Sequence, residues 1–238
     1  MKTFVVLGGS MGLGDAFAKG LPAGGDRIWI VSRTAPVSLQ VQDGVDRRWI
    51  RADLAQASSG RNIADAIGGD ALDVAVYNAG IWESRGFTPQ YDFEADDPAE
   101  IARIVGVNLT SAITCLQALL PNLRRSGNAK IVLVGSTDGL ENVGSSQAAY
   151  VASKFGLRGA AHALRSHVRK DRIGVTVLNL GTIAGSPFED GLTSALDVGG
   201  GRSMPAHDIV ALVRCIVDLS AASCVKEVVM PAMADENA

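Results

Sequence analysis

Tyr150 and Lys154 stand four residues apart in Tyr150-Val151-Ala152-Ser153-Lys154, in a segment whose pattern suits a helix, so their side chains share one face. A phenol has an ordinary pKa of ~10, too high for easy proton exchange at neutral pH, and a neighbouring ammonium favours the phenolate. The pair is therefore a candidate general acid and base. The plain alternative is a surface i, i+4 pair. A second chemical feature lies at the start of the chain, in Gly8-Gly9-Ser10-Met11-Gly12-Leu13-Gly14. Glycines let the backbone turn tightly and approach a ligand, and a following helix offers unpaired N–H groups to a phosphate. The order strand, glycine turn, helix favours a dinucleotide site built on Gly8, Ser10, Met11, Gly12, Leu13 and Gly14 over an ordinary turn. Cofactor choice is decided ~20 residues further on. Ile30-Val31-Ser32-Arg33 holds no acid for a ribose hydroxyl, while Arg33 can neutralise a 2′-phosphate. Ser32 and Arg33 together favour NADP over NAD.

The elements that must carry these groups are legible as alternating runs. Phe4–Leu7, Ile28–Val31, Trp49–Ile50, Val74–Tyr77, Ile131–Val134, Val175–Leu178 and Val228–Met230 are predicted strands. Helices are predicted over Gly12–Leu21, Asn62–Ile67, Pro98–Leu123, Tyr150–Arg169 and Pro205–Leu219. Such alternation implies an α/β fold, a doubly wound parallel sheet of about seven strands with helices on both faces. No linker or repeat divides residues 1–238, so one domain is expected. Long loops at about 81–97 and 182–204 follow predicted strands, at the end of the sheet where ligands bind in open parallel folds.

Composition narrows the function classes. At 238 residues the chain can bury a large core without disulfides or metal. Its 22 Lys+Arg against 25 Asp+Glu leave no basic excess for nucleic acid. Three cysteines, Cys115, Cys215 and Cys224, lack ligand spacing, which argues against a metal site and for a reducing compartment. The apolar runs are strand-sized and the start shows no export signal, so a cytoplasmic protein with no membrane partner is expected.

With Tyr150-x3-Lys154 and Gly8-x3-Gly12-x-Gly14 in place, the chain resembles the short-chain dehydrogenase/reductase family over nearly its whole length. Asp53-Leu54 is similar to that family's adenine-contacting pair, and Asn78-Ala79-Gly80 to its motif after the fourth strand. Asn108 matches the mid-helix asparagine and Ser136 the catalytic serine. The resemblance implies a Rossmann-like fold and hydride transfer between a nicotinamide and a carbonyl or secondary alcohol. It makes Tyr150 the acid/base, Ser136 the hydrogen-bond donor to the substrate oxygen, and Lys154 the group that tunes Tyr150 and holds the ribose. It gives Asn108 a water that links Lys154 to solvent. Gly181, Thr182 and Ile183 are implied near the nicotinamide, although Leu180 replaces the usual proline and Gly185 a common threonine. A homodimer or homotetramer is implied as well.

The substrate is less legible. Trp82, Phe87, Tyr91 and Phe93 crowd one stretch of a chain with only 5% aromatic residues. Trp82, two residues past Gly80, is the expected pocket residue, with Phe93 structural and loop packing at least as good a reading for Phe87 and Tyr91. Asp138, Val143 and Gln147 are placed near the substrate by resemblance. The leading expectation is an NADP-dependent carbonyl reductase acting on a hydrophobic or ring-bearing small molecule. An NAD-linked catabolic dehydrogenase is the near alternative. A non-catalytic nucleotide-binding regulator would be expected to lack Tyr150, Lys154 or Ser136, and all three are present.

Overall fold

The computed structural model describes residues 1–141 and 144–235. Seven strands form one sheet: β1 (Thr3–Leu7), β2 (Arg27–Ser32), β3 (Asp46–Arg51), β4 (Val74–Tyr77), β5 (Lys130–Val134), β6 (Gly174–Leu180) and β7 (Glu227–Met230). All pair in parallel in the order β3-β2-β1-β4-β5-β6-β7. The intervening helices are α1 (Gly12–Gly20), α2 (Ser59–Ile67), α3 (Pro98–Val105), α4 (Ser111–Leu123), α5 (Ala148–Val168), α6 (Gly191–Gly199) and α7 (Ala206–Asp218).

Strand side chains alternate between two cores. Val5 and Leu7 join Ile63, Leu119 and Leu157 on the α2, α4 and α5 side. Phe4 and Val6 join Phe17, Ile209 and Val213 on the α1 and α7 side. Burial on both faces explains why the central strands read as unbroken apolar runs. Strand order reverses between β1 and β4, and the crevice at such a reversal is where open α/β sheets bind ligands.

Three elements depart from expectation, each for a physical reason. β3 extends to Asp46–Arg51 because it is the sheet edge, where charges such as Arg47, Arg48 and Arg51 hide a strand while guarding it against edge pairing. The helix predicted over Pro98–Leu123 is continuous but carries a π-helical turn at Gly106–Thr110 between α3 and α4. By length and composition it could cross a bilayer, yet half of its most apolar window is buried, and Leu119 and Leu123 lie in the sheet core. The segment expected as a loop at 182–204 contains α6. Leu192, Leu196 and Val198 of that helix are exposed, so it lacks the buried apolar stripe that marks a helix in a sequence.

Candidate active site

The carboxyl ends of β1, β4, β5 and β6 surround a cleft of about 690 Å³ lined by Asn78, Gly80, Ser136, Tyr150 and Lys154, with Leu13 at one side and Thr182 and Ile183 at the other. Beside it, the glycine turn is fixed by contact. Asn78 donates from Nδ2 to the Gly8 carbonyl at 2.8 Å, and the Asn78 and Ala79 amides both donate to the Leu7 carbonyl. A Cβ at Gly14 would lie 2.0 Å from the Gly8 oxygen, and Gly12 has a φ of +55°. Only glycine fits the first position, and glycine is favoured at the second. Ser10 and Met11 lead into α1, whose start has no side-chain cap, and Met11 is exposed. The first-turn amides are thus available to an anion. This cradle suits a dinucleotide phosphate.

The strand end expected to choose the cofactor divides its two residues. Ser32 is buried and committed to protein: its hydroxyl donates to the Thr34 carbonyl at 2.6 Å and accepts from Trp49 Nε1 at 3.0 Å. Arg33 is exposed and forms no ion pair among the described residues. Asp53 accepts from the Ala55 amide and is exposed, while Leu54 is in the core.

The catalytic candidates converge from three elements. Ser136 follows β5, and its hydroxyl lies 3.0 Å from Asp138 Oδ2 while accepting from the Asp138 amide at 3.2 Å. Tyr150 and Lys154 stand on α5, with Lys154 Nζ 5.5 Å from the centre of the phenol ring and donating to the Val134 carbonyl at 3.0 Å. Asn108 lies in the π-turn. Its Oδ1 accepts from the Ile81 amide at 2.8 Å, and its Nδ2 donates to the Ile81 carbonyl at 2.8 Å and to Ser153 Oγ at 2.9 Å. Ser153 in turn donates to the Tyr150 carbonyl at 2.6 Å. The asparagine side chain therefore clamps the segment after Gly80 to the catalytic helix, and π-turns frequently occur where a helix carries such a functional group.

Electrostatics correct one expectation. Lys154 was expected to make Tyr150 more acidic, but the phenol is pushed above its ordinary value. Burial is the main cause. A hydrogen bond with Ser136 opposes it, and the charges of Asp138 and Glu83 add to it. Burial also pushes Lys154 down to about 8, with Asp138 the counteracting charge. Lys154 Nζ, 5.5 Å from the ring centre, is not among the influences on the phenol, so burial sets the direction.

The side of the cleft expected to take the substrate is bounded by Trp82, Phe87, Asp138 and Gln147. Val143 lies outside the described residues. Trp82, Phe87 and Tyr150 meet edge to face, with ring centres 5.3 to 6.5 Å apart. Phe87 thus belongs to the cleft, contrary to the packing reading, and it holds a φ of +61°, a strained conformation for a bulky side chain. Phe93 is 58% exposed and away from the cleft, so its expected structural role is not observed. Tyr91 donates to Asp96 Oδ2 at 2.9 Å and belongs to the loop.

Two supporting groups had no local sequence signal. Arg158 donates to the Gly139 carbonyl at 2.9 Å and to Glu227 Oε1 at 2.6 Å, which also accepts from Asn179. This ties the Ser136 loop to β6 and β7. Glu83, 1% exposed, accepts from the Ala149 and Tyr150 amides at 3.0 and 3.1 Å. Both contacts join residues more than 60 positions apart, beyond any helix or strand period.

A parallel sheet reversing at a glycine-turn cleft, with a Ser, Tyr and Lys gathered over it, defines an oxidoreductase of the dinucleotide-dependent Rossmann class. Residues 2–196 match the family model described as short chain dehydrogenase, and the chain belongs to that family. Among its relatives is the rhamnolipids biosynthesis 3-oxoacyl-[acyl-carrier-protein] reductase of Pseudomonas aeruginosa, 31% identical over 79% of this chain and 73% of that protein. A 3-dehydrosphinganine reductase of Arabidopsis thaliana is 32% identical over 73% of this chain, a match that spans only 52% of the relative. Among solved structures, the Pseudomonas aeruginosa RhlG/NADP active-site complex has a TM-score of 0.77 at 26% identity, covering 95% of this chain and 94% of that one. A metagenomic short-chain oxidoreductase in complex with NADP has a TM-score of 0.77 at 25% identity, with 98% and 97% coverage.

Proposed function

We propose that the protein is an NADP-dependent reductase of ketones that carry an apolar or ring-bearing group. The observation that carries this reading is the convergence of Ser136, Tyr150 and Lys154 on one cleft that is also lined by Leu13 of the glycine turn and by Asn78, which is bonded to Gly8. When bound, NADPH supplies the hydride. Gly8, Gly12, Gly14 and the first amides of α1 would hold its phosphates, Leu54 and Asp53 its adenine end, and Lys154 its ribose. Thr182 and Ile183 line the side of the cleft suited to the nicotinamide.

The resting protonation of the site suits reduction. Because Tyr150 is pushed upward, its phenol is protonated across the neutral range and stands ready to donate to a carbonyl oxygen. Ser136 can hold that oxygen by turning its single proton away from Asp138, and so stabilise the charge that develops there. The relatives support this direction, being named as reductases of a 3-oxoacyl group and of 3-dehydrosphinganine. The test is NADPH oxidation against a panel of ketones, diketones and aromatic carbonyls. No turnover on any of them would refute the reading.

Exposed aromatic rings beside the phenol support an apolar substrate group. Trp82 is 53% exposed, so Trp82→Ala is expected to raise KM for ring-bearing ketones several-fold while the melting temperature shifts by about 1 °C or less. Phe93→Ala should change neither. A large Tm loss in Trp82→Ala with KM unaltered would make the ring mere packing.

Arg33 supports the preference for NADP. A 2′-phosphate carries roughly −1.5 to −2 charges, and an uncommitted guanidinium can meet it with two hydrogen bonds. Arg33→Ala is expected to lower kcat/KM for NADPH by about tenfold or more, leave NADH nearly unchanged, and lose its effect in high salt. Equal losses for both cofactors would exclude the role. Ser32 is less suited to an acidic replacement than its position implies, because a carboxylate there would face the Thr34 carbonyl.

An assembly of two or four copies, bound to no nucleic acid or membrane and resident in the cytoplasm, completes the proposal. An apolar groove between α4 and α5, lined by Ile113, Leu116, Leu157 and Leu164, supports self-association.

A further inference from the structure

We propose that Glu83 is a positioning residue for proton transfer: delivered by the loop after β4, its carboxylate anchors the first turn of α5 and sets both where Tyr150 stands and what charge it faces. This rests on the acid/base role given to Tyr150 above.

Helix starts leave their first amides without intrahelical partners. In α5 the residue at the cap, Gln147, forms no capping hydrogen bond with its side chain. The acceptor comes instead from Glu83, whose Oε1 takes the Ala149 amide at 3.0 Å and the Tyr150 amide at 3.1 Å. Two donors are satisfied at once, and a negative charge sits at the positive end of a 21-residue helix. A carboxylate only 1% exposed is expensive to bury unless it is well bonded. Its second oxygen, Oε2, is buried with no hydrogen-bond partner among the described residues. One uncharged oxygen would suffice as a cap. The buried charge therefore requires a reason beyond capping.

That reason is its neighbour. Tyr150 faces Ser136 and Asp138 from the segment after β5, Lys154 from its own helix, and Glu83 with Trp82 and Phe87 from the loop after β4; Asp235 lines the same cleft. Burial is the largest influence that raises the phenol, Ser136 opposes it, and the charges of Asp138 and Glu83 raise it further. Glu83 thus adds to the burial that holds the proton on Tyr150 until a substrate oxygen takes it. The same loop turn, closed by the Gly86 amide on the Glu83 carbonyl at 2.7 Å, also places Trp82 and Phe87 around the phenol ring. The substrate wall and the acid are held by one residue, the wall through its backbone carbonyl and the acid through its side chain.

The chain has three tyrosines, and the other two are raised strongly, Tyr91 to about 12 and Tyr77 further. Tyrosinate absorbance can therefore isolate Tyr150 by difference against Tyr150→Phe, in protein saturated with NADP⁺ and without substrate. Glu83→Gln retains an oxygen for the cap and removes the charge. Its Tyr150 midpoint is expected to fall by roughly half to one pH unit. An unmoved or raised midpoint would overturn the proposal. Hydrogen exchange of wild-type protein needs no variant to fold: the Ala149 and Tyr150 amides should be protected like mid-helix amides, and exchange at the rate of an uncapped first turn would equally overturn it. Neither reading requires turnover, so failure of the ketone screen would be seen separately.

Discussion

Tyr150→Phe is expected to lower kcat for ketone reduction by about 10²–10⁴-fold, the usual contribution of a positioned proton donor. The affinity for NADPH, measured by fluorescence titration, should change by less than about twofold, because the glycine cradle and Arg33 make no contact with the phenol. Stability should also hold. Phenylalanine keeps the ring that meets Trp82 and Phe87 edge to face, and the removed hydroxyl gives up a single hydrogen bond, the one with Ser136. The combination matters more than the loss itself. A drop in kcat that came with a lower melting temperature or weaker NADPH binding would point to a distorted helix. A variant that kept wild-type turnover would remove Tyr150 from the chemistry. The pH dependence has a definite sign: with the phenol above its ordinary value, reduction should be insensitive to its ionisation near neutrality and decline on the alkaline side.

The parts of this site that were legible in the sequence are those whose partners lie close along the chain or whose residue type is forced by backbone geometry. Gly12 needs a left-handed turn and Gly14 has no room for a Cβ, so the cradle could be found without coordinates. Tyr150 and Lys154 share a helix face at one-turn spacing, and the buried central strands announce themselves as apolar runs. What remained hidden depends on contacts across the sheet. Glu83 and the Arg158–Glu227 pair join distant segments, and nothing in their local pattern distinguishes them from surface charges. The aromatic cluster showed that rings gather at 82–93 but not which of them turn inward. That is decided by one strained backbone angle at Phe87 and by the turn that Glu83 and Gly86 close. Sequence chemistry also misjudged the sign at Tyr150, because an adjacent lysine matters less than the burial both side chains share.

The same burial makes Lys154 a residue that the fold tolerates for the reaction's sake. The residue is 4% exposed, and the hydrogen bond from its ammonium to the Val134 carbonyl is its only one among the described residues. A folded-state value of about 8, against 10.5 for an ordinary lysine, means that the unfolded chain binds the proton more tightly. Stability should therefore rise as pH climbs from about 8 towards 10.5, and below about 8 the full penalty is present. The shift corresponds to roughly 3 kcal/mol at pH 7, partly offset in a replacement by the donor that Val134 would lose, typically ~1 kcal/mol. Lys154→Met, similar in length and apolar, is thus expected to melt about 4–8 °C higher at pH 7. That gain should shrink towards pH 10, where the native lysine is already neutral. Turnover should fall by about 10²-fold or more, since on the proposed roles the variant would lack a cation near the phenolate left after proton donation and a donor to the ribose. Melting curves from pH 6 to about 10 and ketone reduction on the same samples decide the matter. A variant that melts lower than wild type at pH 7 would mean that the ammonium stabilises the fold, and that its depressed value has been misassigned. If instead it melts higher and reduces ketones as before, the lysine is neither structural nor catalytic. Only greater stability together with lost turnover fits a charge that is kept buried because the reaction requires it there.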